Sequence, residues 1–232
     1  MEKLKYYRLN NSTDENEIGF IYAQDVIYQI NDFIDAENNT EKRFEAYSDF
    51  FGSINEELDL TKFKALDQAN MTDLMYSRFF WHECFYSQKF TELYKNFIVE
   101  NSKLIPCKVH HKKNIHDYFL MHIEETNVMV DFEKSEFAIF DDLKESFKHV
   151  YEEKVTEDSF WDISRKIIAD SENKLAIKPW KIVLNKPSDL FNLELNGRFY
   201  ISNRFKEAIE KEKLTGFEFS EEPLKVEFYG NR

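Results

Sequence analysis

Four histidines crowd one short stretch of the chain: His110, His111, His116 and His122. Imidazole is a common ligand for transition metals, and it is the side chain whose charge changes near neutral pH. If the stretch folds as a hairpin, His110 and either His116 or His122 approach one another across paired strands, as metal ligands do. The neighbours argue against a cation. Lys108, Lys112 and Lys113 would repel it, and no carboxylate or thiol set completes a familiar ligand spacing. We therefore expect surface histidines on a hairpin, with no metal and no other cofactor. A second cluster, Trp81-His82-Glu83-Cys84, contains the residue types of Cys–His catalysis. That chemistry needs the nucleophile and base within hydrogen-bond reach, which adjacency in sequence does not supply. Phe85 and Tyr86 mark Cys84 as a small residue in an apolar setting instead. Paired acids such as Glu56-Glu57, Asp141-Asp142 and Glu152-Glu153 arise by chance in a chain with 44 acids, and they read as solvated surface. There is no Gly-rich phosphate loop, nucleophile elbow or His-Glu-x-x-His, and with five glycines such a loop is hard to build. The expectation is a protein without catalytic residues.

The elements around these residues follow from periodicity. A short strand is expected over 4–9. Over 23–36, Val26, Ile27, Ile30, Phe33 and Ile34 fall on one stripe, with Asp25, Gln29 and Asp32 opposite, which predicts a helix. Thr40 is placed to cap a second helix, whose Phe44, Tyr47, Phe50 and Phe51 face inward while Glu41, Glu45 and Asp49 line another face. A strand is expected over 61–66 and a helical turn from Thr72 or Asp73. Phe85-Tyr86 closes a strand, and Ser87 caps a helix burying Phe90, Leu93, Tyr94 and Phe97. Residues 104–111 and 117–123 pair across Lys112-Lys113-Asn114, and 127–132 with 136–140 forms a second hairpin. Antiparallel pairing follows from such short connections. Residues 141–172 are expected to be helical. A strand over 175–184 is interrupted by Pro179, which favours an edge or a bulge. The chain then runs through a strand over 198–201, cap Ser202, a helix over 203–213 and Thr215-Gly216 into a last strand over 217–219, with Gly216 suited to positive φ.

One local pattern recurs. Ser87-Gln88-Lys89-Phe90-Thr91-Glu92 and Ser202-Asn203-Arg204-Phe205-Lys206-Glu207 share Ser-x-(Lys/Arg)-Phe-x-Glu. Each describes a strand handing over to a Ser-capped helix whose first buried residue is Phe. Duplicated halves and chance similarity of two capped helices both account for it.

Charge is concentrated. Of the net charge of -13, residues 11–60 carry -11, with 13 acids against Lys42 and Arg43. Such a surface repels nucleic-acid phosphates and anionic lipid, and it steers a basic protein toward itself. No apolar run approaches the roughly 20 residues that span a bilayer. Two cysteines, Cys84 and Cys107, do not make a disulfide framework, so a reducing, cytoplasmic setting is expected.

Two stretches carry a resemblance. One lies in residues 108–141, chiefly Val128-Met129-Val130-Asp131-Phe132-Glu133-Lys134-Ser135-Glu136-Phe137. The other runs from Asp189-Leu190-Phe191 into Phe199-Tyr200-Ile201-Ser202-Asn203-Arg204-Phe205-Lys206-Glu207-Ala208-Ile209 and then Leu214-Thr215-Gly216-Phe217-Glu218-Phe219. Together they resemble the immunity-protein family eleven of bacterial polymorphic-toxin systems, a Myxococcus-type immunity domain. The resemblance covers about half of the chain and implies a non-enzymatic protein that binds and neutralises a cognate toxin. By that resemblance Ser202 is the cap, Phe205 the first core position, Gly216 the helix stop, and Phe217 and Phe219 the final strand. The runner-up is a general protein-interaction or regulatory domain. Partner contacts are expected at Glu41, Glu45, Asp49, Asp25 and Asp32, where a toxin with a basic cleft would meet them. The fold expected is α+β, with mainly antiparallel sheets, packed helices and an acidic helical N-terminal region. It forms one domain over 1–232, with a helical subregion over 1–100 and an α+β subregion over 101–232.

Overall fold

The computed structural model describes residues 5–19, 26–28, 63–76, 84–99, 102–123, 129–144, 146–172, 174–221 and 225–228. Among them the architecture is α+β and dominated by strands. The first strand, β1 (Tyr6–Asn11), is followed by a single helical turn, α1 (Glu15–Ile18), capped by Asp14. A six-stranded sheet then takes β2 (Val26–Tyr28), β3 (Phe63–Ala65), β4 (Leu74–Tyr76), β5 (Cys84–Ser87), β6 (Ser102–His111) and β7 (Asn114–Ile123), in the order β2-β3-β6-β7-β5-β4. Helix α2 (Gln88–Tyr94) leaves β5 directly. The rest of the chain adds β8 (Glu136–Asp141), β9 (Ser146–Val150), α3 (Glu157–Asp170) and β10 (Leu175–Leu184). It closes with β11 (Leu190–Leu193), β12 (Arg198–Ser202), α4 (Asn203–Lys211), β13 (Phe217–Ser220) and β14 (Lys225–Phe228). These form two four-stranded sheets, β14-β10-β8-β9 and β11-β12-β1-β13. The start of the chain is therefore built into the sheet formed by its end, with β1 antiparallel to both β12 and β13.

Alternation along the long hairpin explains how the layers stack. On β6 and β7 one face presents Ile105, Cys107, Val109, Tyr118 and Leu120 to a core with Phe63, Met75 and Phe85. The other face presents Leu104, Met121 and Ile123 to a second core with Phe90, Phe205, Leu9 and Ile201. Across β1 and β12 the side chains Tyr6 and Tyr200 turn away from that second core into a third. There they meet Phe191, Phe137, Phe160 and Ile182, beneath the sheet that holds β10. Helix α3 is closed at its start by a capping box between Thr156 and Ser159, and it buries Phe160.

Several expectations are corrected. Val26–Tyr28 is a strand paired with β3, not part of a helix over 23–36. Its β-branched pair Val26-Ile27 suits a ladder as well as a helical stripe, and three apolar residues cannot separate the two periods. The acidic helical N-terminal region accordingly has no support beyond α1 among the described residues. The turn near Thr72 and Asp73 leads into strand β4, not a helix. Residues 129–132, the described part of the segment expected over 127–132, do not form a hairpin with β8. Val130 makes one isolated bridge to Leu184, Asp131 caps a turn, and β8 pairs instead with β9 and β10. Residues 146–150 are strand β9, so the helix expected over 141–172 begins only at Glu157. Pro179 does mark a bulge, where the ladder skips to Lys181, but β10 is an interior strand between β14 and β8. The skipped residue gives the missing proline N–H a place in the middle of a sheet.

Candidate functional site

Among the described residues, two junctions join buried and part-buried polar groups in matching networks, and each is built where a strand becomes a helix. At the first, Ser87 has extended backbone (φ -67, ψ 163), and its Oγ accepts the Phe90 N–H at 3.2 Å, capping α2. The Ser87 hydroxyl donates to Asp73 Oδ1 at 2.5 Å. The other oxygen, Asp73 Oδ2, accepts the Thr215 N–H at 2.9 Å and the Thr215 hydroxyl at 3.1 Å. Beside it, Tyr118 donates to the Thr72 carbonyl at 2.6 Å. At the second junction, Ser202 is fully buried and caps α4 through the Phe205 N–H at 3.3 Å. Its hydroxyl donates to Asp189 Oδ1 at 2.6 Å. Asp189 Oδ2 accepts the Ile98 N–H at 2.8 Å, and Arg204 grips both carboxylate oxygens, with Nε 2.6 Å from Oδ1. Tyr6 donates to the Ser188 carbonyl at 2.8 Å.

The electrostatics fit these contacts. Burial, and then the charge of Asp189, raises the Tyr6 phenol well above its ordinary value. Burial followed by the charge of Asp73 does the same to Tyr118. The hydrogen bond to Asp189 holds Arg204 above its ordinary value, against the opposing effect of burial. Each serine Oγ is engaged twice, accepting the cap N–H and donating to the carboxylate, which in turn binds a donor from a distant part of the chain. These contacts tie strand, helix and a distant chain segment together at each junction.

The histidines are separated differently from expectation. His110 opposes Ile115 and His116 opposes Val109, so His110 and His116 lie on opposite faces of the hairpin. His122 opposes Lys103, near the far end of β7. The structure instead brings together His111 and His116, whose ring centroids are 6.2 Å apart and whose Nε2 atoms are buried without a hydrogen-bond partner. Among the described residues, no group of three or more His, Cys, Asp or Glu side chains is arranged to hold a metal ion. The hairpin turns on two residues, Lys112 and Lys113, rather than three, with Lys112 at φ 54.

The residues expected to meet a partner, Glu41, Glu45, Asp49, Asp25 and Asp32, lie outside the described residues. The motif residues are all described. Ser202 and Phe205 stand where expected, and Phe217 and Phe219 lie on β13 packed against the second core. Gly216 does take positive φ, at +88, but its service is different from a helix stop. Lys213, at φ 54, already turns the chain out of α4. A Cβ on Gly216 would stand 2.3 Å from the Leu74 carbonyl oxygen and 2.8 Å from Thr72 Oγ1, so glycine is required by the close approach of another strand. The two carboxylates, Asp73 and Asp189, enter the sequence-based expectations only as a candidate helix start and as the opening of the second resembling stretch, with no hydrogen-bond role expected for either. Their signal was present as a (Ser/Thr)-Asp-Leu triplet opening a strand, at Thr72-Asp73-Leu74 and Ser188-Asp189-Leu190. Neither cysteine forms a disulfide, and burial pushes the Cys107 thiol from 9.0 up to about 12. Among the described residues no helix is long and apolar enough to cross a membrane. No protein-family model matches this chain, and no curated protein matches it.

Proposed function

We propose that this protein is an immunity protein, which binds a cognate bacterial toxin in the cytoplasm of the producing cell and neutralises it by occlusion. The observation that carries the reading is the charge distribution: residues 11–60 hold -11 of the net -13. A segment of that kind accelerates encounter with a basic surface and adds specificity against acidic ones. Many toxins that cut nucleic acid have basic clefts, because the cleft must hold phosphates. An acidic inhibitor competes for the same electrostatic site. The resemblance in residues 108–141 and 189–219 supports the same class of protein. In this reading the motif at Ser202, Phe205, Gly216, Phe217 and Phe219 builds the scaffold, while Glu41, Glu45 and Asp49, with Asp25 and Asp32, face the partner. Nucleic acid and membrane are not partners.

Co-expression with a candidate toxin encoded by an adjacent gene is the direct test, scored by growth rescue and by a co-purifying complex. Reversing Glu41, Glu45 and Asp49 to Lys should slow association and weaken its salt dependence, with unchanged thermal stability. Affinity that ignores all three reversals would refute the assignment of the surface. Absence of both rescue and complex would refute the immunity reading itself.

A further inference from the structure

We infer that the chain is a tandem duplication whose two halves have exchanged their first strands, and that each half is clasped shut by a carboxylate of the other. The first half runs from β1 to β6 and the second from β7 to β14. The corresponding strands are β2 with β8, β3 with β10, β4 with β11, β5 with β12, and β6 with β13 and β14 together. Helix α2 corresponds to α4. In the first half β2 is antiparallel to β3, and β3 runs parallel to β6. In the second half β8 is antiparallel to β10, and β10 runs parallel to β14. The strand orders β4-β5-β7-β6 and β11-β12-β1-β13 are the same pattern, with β7 in one sheet holding the place that β1 holds in the other. The third strand of each sheet is the first strand of the opposite half.

The agreement extends to single atoms. Ser87 lies opposite Tyr118 across β5 and β7, and Ser202 lies opposite Tyr6 across β12 and β1. Both tyrosines donate to the carbonyl before an aspartate, Thr72 for Tyr118 and Ser188 for Tyr6. The Thr72 hydroxyl donates to the Leu74 carbonyl at 2.6 Å, and the Ser188 hydroxyl donates to the Leu190 carbonyl at 2.9 Å. The Ser87 N–H donates to the Asp73 carbonyl at 2.9 Å, and the Ser202 N–H to the Asp189 carbonyl at 2.8 Å. Phe90 and Phe205 are matched positions and stack on one another at 5.8 Å in the shared core. Sequence outside these junctions adds one more echo. Thr40-Glu41-Lys42-Arg43-Phe44 and Thr156-Glu157-Asp158-Ser159-Phe160 share Thr-Glu-x-x-Phe. Two capped helices could agree by chance. A shared register, sheet order, tyrosine, carboxylate and cap together do not arise that way.

The consequence is mechanical. Each aspartate accepts its own half's cap hydroxyl on one oxygen and, on the other, a backbone N–H from the chain leaving the opposite half's helix. That donor is Thr215 for Asp73 and Ile98 for Asp189. A backbone bond runs alongside each, Leu74 N–H to the Thr215 carbonyl at 3.1 Å and Asp189 N–H to the Ile98 carbonyl at 2.6 Å. Exchanged strands and crossed clasps make the halves open together, not as separate domains.

Hydrogen exchange on the full chain tests this. Asp73→Asn should raise exchange at least tenfold around Thr215 as well as around Ser87. Asp189→Asn should do so around Ile98 as well as around Ser202. Exchange that rises only within the mutated half would overturn the proposal. Should Asp189→Asn not fold, Asp73→Asn and the milder Thr215→Val carry the same test. A second arm inserts a specific protease site between Lys112 and Lys113, at the exposed turn joining the halves. After cleavage the fragments should stay together in gel filtration without denaturant, because each supplies a strand to the other. Fragments that separate would overturn the strand exchange.

Discussion

Replacing Phe205 with alanine should remove more stability than any other single truncation in the motif, while leaving partner recognition intact. The ring is fully buried, lies 4.1 Å from the ring of Phe97 in a nearly parallel stack, and meets Phe90 at 5.8 Å. Returning a side chain of this size to water costs about 1.5–3 kcal/mol. The cavity it leaves raises Phe→Ala costs to about 3–5 kcal/mol, because the surroundings close only in part. Here the neighbours are two further rings fixed by capped helix α2 and the turn after it, so the upper half of that range is expected. For a chain of this length, about 2–4 °C of melting temperature is lost per kcal/mol, giving a drop on the order of 10 °C. Urea and thermal unfolding of the purified protein measure it. Partner affinity, taken well below the melting transition, should stay within a factor of about two, which is under about 0.5 kcal/mol. A stability loss below about 1 kcal/mol, the size of an exposed substitution, would refute the assignment of Phe205 to the shared core. A stable Phe205→Ala protein that no longer binds would refute the separation of scaffold from contact surface.

Gly216→Ala forces positive φ on a residue with a Cβ and drives that Cβ against the Leu74 carbonyl, so a loss of at least about 2 kcal/mol is expected in denaturant melts. An unchanged midpoint would refute the close approach of the two strands. Alkaline pH should destabilise the protein. Burial raises the phenols of Tyr6, Tyr86 and Tyr118 above 10.0 and the Cys107 thiol from 9.0 to about 12. The folded values exceed the unfolded ones, so this stability is complete below about pH 9 and is lost as pH rises through the folded values. Denaturant midpoints should hold between pH 7 and 8.5 and fall progressively above 9, and Tyr118→Phe should flatten the slope. A flat profile to pH 11 would count against buried, protonated phenols. Thiol-specific labelling of the native protein should modify the half-buried Cys84 well before Cys107, whose labelling should await unfolding. Equal rates would contradict the packing of Cys107 beside Tyr118.

Local signals were legible wherever local chemistry decides structure. The caps Ser87 and Ser202, the β6–β7 hairpin, the strand over 175–184 with its irregularity at Pro179, and the final strand–helix–strand all follow from neighbours within a few residues. So do the polar surface and the uneven charge. Errors fell where two periods compete over short apolar runs, as at Val26–Tyr28, or where a charged surface strand looks helical, as at Ser146–Val150. The histidines show the same limit. Sequence placed them on one hairpin, but only the strand register set His110 on one face and paired His111 with His116 on the other.

By itself the sequence determined the elements with strong caps and turns, the core composition rich in aromatics, and an acidic segment that disfavours phosphate partners. It also held a faint repeat, too short to separate from chance. Tertiary structure alone decided how the elements combine. Strand exchange between β1 and β7, the seat of Gly216 against Leu74, and the crossed bonds of Asp73 and Asp189 all join residues far apart in the chain. Hydrogen bonds and close packing depend on three-dimensional proximity, and a carboxylate's partner is not encoded by its neighbours. The physical evidence for a repeat therefore lies in matched bonds across the fold, where sequence had kept only Ser-x-(Lys/Arg)-Phe-x-Glu.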